Sequence, residues 1–410
     1  MSSTHKDNML TLKIESFSKD EVLKAAINAA VDLNLPIAVW RMPHKSEIHL
    51  VMSTKAPRSL HQIDIEDLGS GFVIAPFHMG QLPAHFIDAD FSLSFDFDEV
   101  IVTQKDDQDT NSEKIERLKA RIEQLLDQPV KAKSYHIKPE DTYGSNNDYH
   151  QLIEKSVMAI KGGAFDKVVP ARTKEIELTE DFHAVDLLLD LCDSYANAFV
   201  SFVSLPQIGT WIGATPEVLI EKKKDSFKTI ALAGTQRFDP NMPISDTSWT
   251  QKEIEEQAMV SRYIINCFKK IRLREFEEAG PKTVKAGNLL HLKTSYSVDT
   301  RETNFPELAT VMLKLLHPTS AVAGMPKEEA MDFLKTHEGM DREFFSGFLG
   351  PINMDSQTDL FVNLRCMQLL KNKARLYAGA GVTADSQAEK EYQETELKFK
   401  TLLNILNKKV

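Results

Sequence analysis

The chain has 410 residues, 42% of them hydrophobic and 27% charged, which excludes a disordered or fibrous protein and allows a sizeable buried core. A net charge of −11 with no dense Lys/Arg stripe argues against nucleic-acid binding, so attraction of an anionic ligand must be local. Cys192, Cys267 and Cys366 are far apart with no CxxC spacing, which indicates a reducing compartment and no structural zinc.

No apolar run reaches the ~20 residues of a membrane span. The opening MSSTHKDNML lacks a basic stretch followed by an apolar one, so no signal peptide is expected and the expected location is the cytoplasm. Residues 1–137 read as an N-terminal α/β half that serves as scaffold. Ser18 or Asp20 caps a helix running to about Leu33, with Val22, Ala25, Ala26, Ala29 and Ala30 at helical spacing. Strands are expected at 36–41, 48–52 and 71–76, and at 91–97, where apolar and polar residues alternate. Residues 112–126 read as a charged helix. His44, His49, His61 and His78 form no ligand or catalytic motif.

The polar stretch KPEDTYGSNNDYH, 138–150, marks a boundary, after which 145–410 reads as the catalytic core. A helix over 149–162 is closed by Gly162-Gly163, and a strand opens at Lys167 in KVVPAR. Strands at 199–205 and 210–214 form a hairpin that ends in Gly213-Ala214-Thr215-Pro216-Glu217. The proline stiffens this turn and presents Glu217 from it. A further strand ends in ALAGT, with Gly234 and Thr235 offering free amides. The following helix, with apolar residues Ile254, Met259, Val260, Tyr263 and Ile264, carries Glu253 and Glu256 at i, i+3.

His291 is embedded in a strand over 289–294, and a loop of small residues over 315–326 leads into a helix from Lys327. A strand over 360–370 places Arg365 among apolar neighbours, where an arginine calls for an anionic partner. The last stretch, LYAGAGVTADSQAEKEYQETELK, runs from a strand through Gly379-Ala380-Gly381 into a helix. There Glu391 and Glu394 repeat the i, i+3 spacing and Lys398 follows four residues on, on the same face. A solvated helix face shows the same spacing. Two such carboxylate pairs on separate helices can instead surround one hard cation, which suits Mg²⁺, and the absence of a histidine partner disfavours zinc or di-iron. No internal repeat or low-complexity segment is present.

Taken together and in order, KVVPAR, GATPE, ALAGT, the KEIEEQ helix, HLKT, LHPTSAVAG, DREFFSG, VNLRC and LYAGAG…EYQET..K resemble the chorismate-utilising enzymes, and among them the isochorismate synthases, over roughly 145–410. The resemblance implies an α+β fold of two large antiparallel sheets in a sandwich flanked by helices. It implies Mg²⁺-dependent conversion of chorismate to isochorismate by water addition at C2 and loss of the C4 hydroxyl, for menaquinone or a catechol siderophore. By the same resemblance Lys167 is the general base, which requires a lowered pKa, and Glu217 the general acid, which requires a raised one. Glu256 and Glu394 match metal ligands, with Glu253 and Glu391 beside them or acting through water. Gly234, Thr235, His291, Arg365, Gly379 and Lys398 match contacts to the substrate's carboxylates and ring, and Thr319 and Ala321 line the pocket. The substrate is a small molecule, and no obligatory protein partner, nucleic acid or membrane is implied.

Departures qualify the match. Glu255 and Gln257 stand where the family's metal helix often has histidines. Phe345 stands where salicylate synthases have a tyrosine, which disfavours that lyase as the alternative product chemistry. An intact Lys167 disfavours an anthranilate synthase-like, amine-using subunit, and Ala233 disfavours aminodeoxychorismate synthases, which have a lysine there.

Overall fold

The structure is a computed structural model that describes residues 16–96, 100–104, 112–126, 128, 134–139, 148–286 and 289–406. The N-terminal decapeptide, residue 97 and positions 140–147 of the expected boundary lie outside them. Among the described residues no helix is long and apolar enough to cross a membrane.

Two antiparallel sheets of nine described strands each make the core, the α+β sandwich expected from the sequence. The first runs, in spatial order, Val100–Gln104, Phe91–Phe95, Ile48–Met52, Ile37–Arg41, Phe199–Leu205, Gly209–Thr215, Cys366–Leu369, Lys373–Gly379 and Ala171–Glu177. The second runs Glu277–Ala286, Leu289–Asp299, Ser226–Arg237, Val218–Lys223, Gln357–Val362, Phe348–Ile352, Gly71–Ala75, Ala84–Asp88 and Arg58–Leu60. Strands from before residue 137 thus complete both sheets: Ile37–Arg41 pairs with Phe199–Leu205, and Gly71–Ala75 with Phe348–Ile352.

Strand alternation builds three apolar layers. Ala38, Trp40, Phe199, Val203 and Trp211 of the first sheet meet Phe72, Ile74, Leu349 and Phe361 of the second. Phe199 stacks on Phe361 with ring centroids 4.1 Å apart and planes within 8°. The other face of the first sheet, with Ile37, Val39, Val200 and Phe202, packs on helices Lys19–Asp32, Ser112–Leu126, Ala184–Ser194 and Ala388–Leu406. The outer face of the second sheet is covered by Tyr149–Lys161, Gln251–Lys270, Leu308–Leu316 and Lys327–His337. A strand buried on both faces reads as a nearly continuous apolar run, as FVSFVSL does at Phe199–Leu205, where the buried Ser204 hydroxyl is satisfied by the His136 amide at 2.9 Å and Thr210 Oγ1 at 2.7 Å.

Local signals hold where the chemistry is local. Ser18, not Asp20, caps the first helix: its hydroxyl accepts the Glu21 amide at 3.3 Å while Glu21 accepts the Ser18 amide at 2.8 Å. Four expectations are corrected. The single strand expected over 360–370 is two, Gln357–Val362 and Cys366–Leu369, in different sheets. Arg365 is not mid-strand but sits at the crossing, with φ of +49°. An unbroken apolar run does not report where a chain changes sheet. The strand from Lys167 is broken at Pro170 into Lys167–Val168, paired with Gly324–Met325, and Ala171–Glu177. Ile254 is 47% exposed, and its helix buries Gln257, Val260, Ile264, Cys267 and Phe268 instead.

The chain therefore crosses between the sheets twice side by side, at Thr215–Glu217 and at Asn363–Arg365. The crossings are tied together. The Val362 amide donates to the Glu217 carbonyl at 2.9 Å, the Ala214 amide to the Arg365 carbonyl at 3.1 Å, and the Thr215 hydroxyl to the Val362 carbonyl at 2.7 Å. Gly213 makes this approach possible, because a Cβ there would lie 2.8 Å from both the Arg365 carbonyl oxygen and the Cys366 Cβ. Gly213→Ala is expected to cost about 1–3 kcal/mol through this backbone clash, read as a lower urea midpoint. An unchanged midpoint would mean that the two crossings can part freely.

Candidate active site

Lys167 is 7% exposed and lies against Gly381, where a Cβ would come 3.1 Å from its Cε and 3.6 Å from its Nζ. Burial pushes its amine below the ordinary lysine range, with Lys398 adding to the effect, while the carboxylates of Glu256, Glu394 and Glu217 oppose it. Glu217, half-buried on its crossing, is tuned the other way. Loss of water raises its carboxyl to about 7, against the pull of Lys167, Lys398 and Arg365. Arg365 itself is deprived of water and is favoured as a cation by Glu394 and Glu217. Side chains from both crossings, the Lys167 strand and two helices thus lie within electrostatic reach of one another.

The carboxylate face comes from helices Gln251–Lys270 and Ala388–Leu406. Burial raises the Glu256 carboxyl, Lys167 and Lys252 draw it down, and the charge of Glu394 on the other helix raises it again. Burial also works against the charge of Glu394, but the Lys398 ammonium at 2.7 Å, with Lys252 and Arg365, holds its carboxyl below the usual range. Lys398 also donates to the Gly379 carbonyl at 2.7 Å, which fixes the helix to the end of the Lys373–Gly379 strand. Glu391 is buried, and its carboxyl is raised by desolvation and by Glu394. Glu253 forms a capping box in which one carboxylate oxygen accepts from the Thr250 amide at 2.9 Å and from the Thr250 hydroxyl. It therefore brings only its second oxygen to a ligand.

His291, Gly234 and Thr235 are joined to one another beside the Gln251–Lys270 helix. His291 places Nδ1 3.0 Å from the Gly234 carbonyl and 3.3 Å from the Thr235 hydroxyl. A carbonyl only accepts, so Nδ1 carries the proton and Nε2 is left as acceptor. Burial lowers this histidine to about 4, which keeps it neutral near pH 7. Gly234 has φ of +69°, and a Cβ there would press within 3.0 Å of the Glu253 Cβ, so the position needs glycine. Thr319 and Ala321 lie on the loop before Ala323, whose carbonyl accepts the Val169 amide at 3.0 Å. The Thr319 and Ser320 hydroxyls are buried without a hydrogen-bond partner.

Among the described residues no three acidic, histidine or cysteine side chains converge as a closed cation cage. The residues present nonetheless fit Mg²⁺: an all-oxygen donor set in which the Glu394 charge raises the Glu256 carboxyl, so that a counter-charge between them would be favoured. Mg²⁺ commonly takes only one or two protein carboxylates and completes its shell with water and substrate oxygens. The structure thus gathers Lys167, Glu217, Glu256, Glu391, Glu394, Arg365, Lys398 and His291, while Gly379, Gly234 and Thr235 frame them. Sequence reasoning missed Lys252, four residues before Glu256, and Tyr149, whose hydroxyl donates to the Pro170 carbonyl at 3.2 Å and whose ionisation Glu394 and Glu391 oppose. For Lys252 the i, i+4 spacing was a usable signal. For Tyr149 there was none.

Comparison with known proteins assigns the chain to a family. The family model described as "Chorismate binding enzyme" matches residues 81–407. The isochorismate synthase DhbC of Bacillus subtilis strain 168 is 31% identical over 287 residues, 67% of this chain and 70% of that protein. The isochorismate synthase EntC of Escherichia coli K12 is 26% identical over 281 residues, 67% of this chain and 71% of its own. Among solved structures, MenF, the menaquinone-specific isochorismate synthase from Escherichia coli, superposes with a TM-score of 0.74 at 20% identity, covering 95% of this chain and 92% of its own. Anthranilate synthase component I from Streptococcus pneumoniae TIGR4 gives 0.67 at 20% identity and 89% coverage of both. At those identities the structures speak for the fold alone. The family match spans most of the chain and takes in every one of the charged side chains gathered above, and the chain therefore belongs to the chorismate-binding enzymes.

Proposed function

We propose that this chain is an isochorismate synthase that converts chorismate to isochorismate with Mg²⁺. The observation that carries the reading is the opposite tuning of two neighbouring groups: Lys167 is held toward its neutral form while Glu217 is raised to about 7. Paired groups whose surroundings push their pKa values apart serve as base and acid.

In this reading Lys167 takes one proton of a water as its oxygen bonds to C2, the ring double bonds shift, and the C4–O bond breaks. Glu217 supplies the proton with which the C4 hydroxyl leaves as water, so the ring composition is unchanged. Arg365, with its planar fork, and Lys398 hold the substrate's carboxylates, while the His291 edge and the Gly234–Thr235 backbone border the ring. Glu256 and Glu394 would hold Mg²⁺, with Glu253 and Glu391 beside them or acting through water, and the ion would supply charge neutralisation for the ring carboxylate. Neutral His291 adds no second positive charge there. No protein partner or nucleic acid enters the scheme.

Formation of salicylate would need the same two groups and an added loss of pyruvate. Phe345 favours the isomerase: it is buried and stacked on Tyr377 with ring centroids 5.3 Å apart, and it offers no hydroxyl to an enolpyruvyl carboxylate.

Purified protein given chorismate and Mg²⁺ is expected to yield a mixture of chorismate and isochorismate without pyruvate, seen by chromatography over time. Salicylate and pyruvate in equal amounts would instead make it a lyase. Lys167→Ala is expected to lower kcat by roughly 10²- to 10⁴-fold while Mg²⁺-dependent chorismate binding, measured by calorimetry, persists. Near-wild-type turnover in that variant would remove Lys167 as the base. Glu394→Ala should raise the Mg²⁺ concentration for half-maximal turnover by about an order of magnitude or more. The same metal requirement as wild type would take Glu394 out of the site.

A further inference from the structure

The segment that carries Lys167 has an unusual backbone environment. Lys167–Val168 pairs with Gly324–Met325, Val168 exchanges two hydrogen bonds with Val382 at 3.2 and 2.8 Å, and Ala171–Glu177 resumes as an edge strand of the first sheet. Between them Pro170 has no N–H and interrupts the ladder. Its own carbonyl is met by the Ala380 amide at 3.2 Å and the Tyr149 hydroxyl at 3.2 Å. The groups on either side of it, the Val169 carbonyl and the Ala171 amide, are met by side chains.

Those side chains are one buried ion pair. Arg342 is 1% exposed and Glu338 3%. The pair is bidentate, with Arg342 Nε 2.7 Å from one Glu338 oxygen and Nη2 2.6 Å from the other. Nη2 also donates to the Val169 carbonyl at 2.6 Å, and Glu338 Oε1 accepts the Ala171 amide at 2.7 Å. One donor and one acceptor thus stand where a neighbouring strand would supply a peptide N–H and C=O. A further arm, Nη1, donates to the Val322 carbonyl at 3.0 Å, at the end of the Thr319–Ala321 loop. The Phe77 ring covers the guanidinium at 4.2 Å.

Apolar residues of similar volume often replace a buried ion pair without loss of stability. What an apolar replacement cannot do is bond three backbone groups of two segments at once. We propose that the Arg342–Glu338 pair is a positioning device for the water-activating step, aiming Lys167 by fixing the backbone two residues beyond it to the pocket loop. This rests on the reading of Lys167 as the base. Neither Arg342 nor Glu338 touches the reacting atoms in this scheme.

The test uses the full-length protein carrying Arg342→Lys, which keeps the charge but cannot span the Glu338 oxygens and both carbonyls. Glu338→Gln, which keeps the shape, takes its place if that variant does not fold. Two quantities are read: steady-state kinetics with chorismate and Mg²⁺, and competitive acetic anhydride labelling of Lys167 without substrate, normalised to exposed Lys155 by mass spectrometry. The expected result is a kcat about 10- to 100-fold lower, with KM within about threefold of wild type, and a several-fold change in Lys167 labelling. Unchanged Lys167 labelling in a folded variant overturns the proposal whatever the turnover, and so does a loss that lies wholly in KM. Labelling needs no turnover, so a wild-type protein that failed to convert chorismate would sink the functional reading without deciding the positioning of Lys167.

Discussion

The withdrawal of Lys167 from water is the constraint on which the site depends. An ammonium in that position is costly, and the surroundings offset the cost with the carboxylates of Glu217, Glu256 and Glu394. Those carboxylates lose water too, and they need Lys398, Lys252 and Arg365 in turn. The cluster is therefore a set of mutually dependent charges in which Lys167, Glu217, Glu256 and Glu394 are each moved off their ordinary titration. Removal of any one leaves its partners uncompensated, and perturbed groups of this kind concentrate at functional sites.

The two sheets supply the geometry. Strands are stiff, and their ends are where a chain can present a side chain without occupying a ladder position. Glu217 and Arg365 use the two adjacent crossings between sheets, tied by the Glu217–Val362 and Ala214–Arg365 backbone bonds. Gly379 ends the Lys373–Gly379 strand, and Gly381, two residues on, leaves room for the lysine. The helices then bring acidic residues against this edge, with Lys398 bonded back to Gly379. The N-terminal strands lie away from the cluster but complete both sheets, so their contribution to the site is the rigidity of its frame.

Much of this was legible in the sequence because it is encoded in short spacings. The Ser18 cap, the Phe199–Thr215 hairpin, the paired glutamates and the small residues around Gly234 and Gly379 each depend on neighbours within a few positions. The order of the motifs added the fold and the class of substrate, since that much agreement across the chain is specific even where each motif is common. What was not legible depends on distant partners. The short strands Arg58–Leu60 and Ala84–Asp88 carry weak periodicity and exist because each pairs with a strand that is itself anchored. Ile254 has the composition of a core residue and lies in solvent, because the helix is rotated to bury Gln257, whose amide reaches the Ala231 carbonyl and the Thr294 hydroxyl.

The sequence by itself determined which residues have the chemistry: a lysine, an acid on a proline-stiffened turn, two carboxylate pairs and an arginine in apolar company. Their side chains are fixed by covalent structure, and helical spacing fixes which pairs share a face. Only the tertiary structure decided what those groups become. It broke the 360–370 run so that Arg365 stands at a crossing, broke the Lys167 strand at Pro170, and put the Arg342–Glu338 pair into the gap. A pKa and a direction of approach are properties of burial and of charges brought from far along the chain, and neither exists until the sheets have closed on each other.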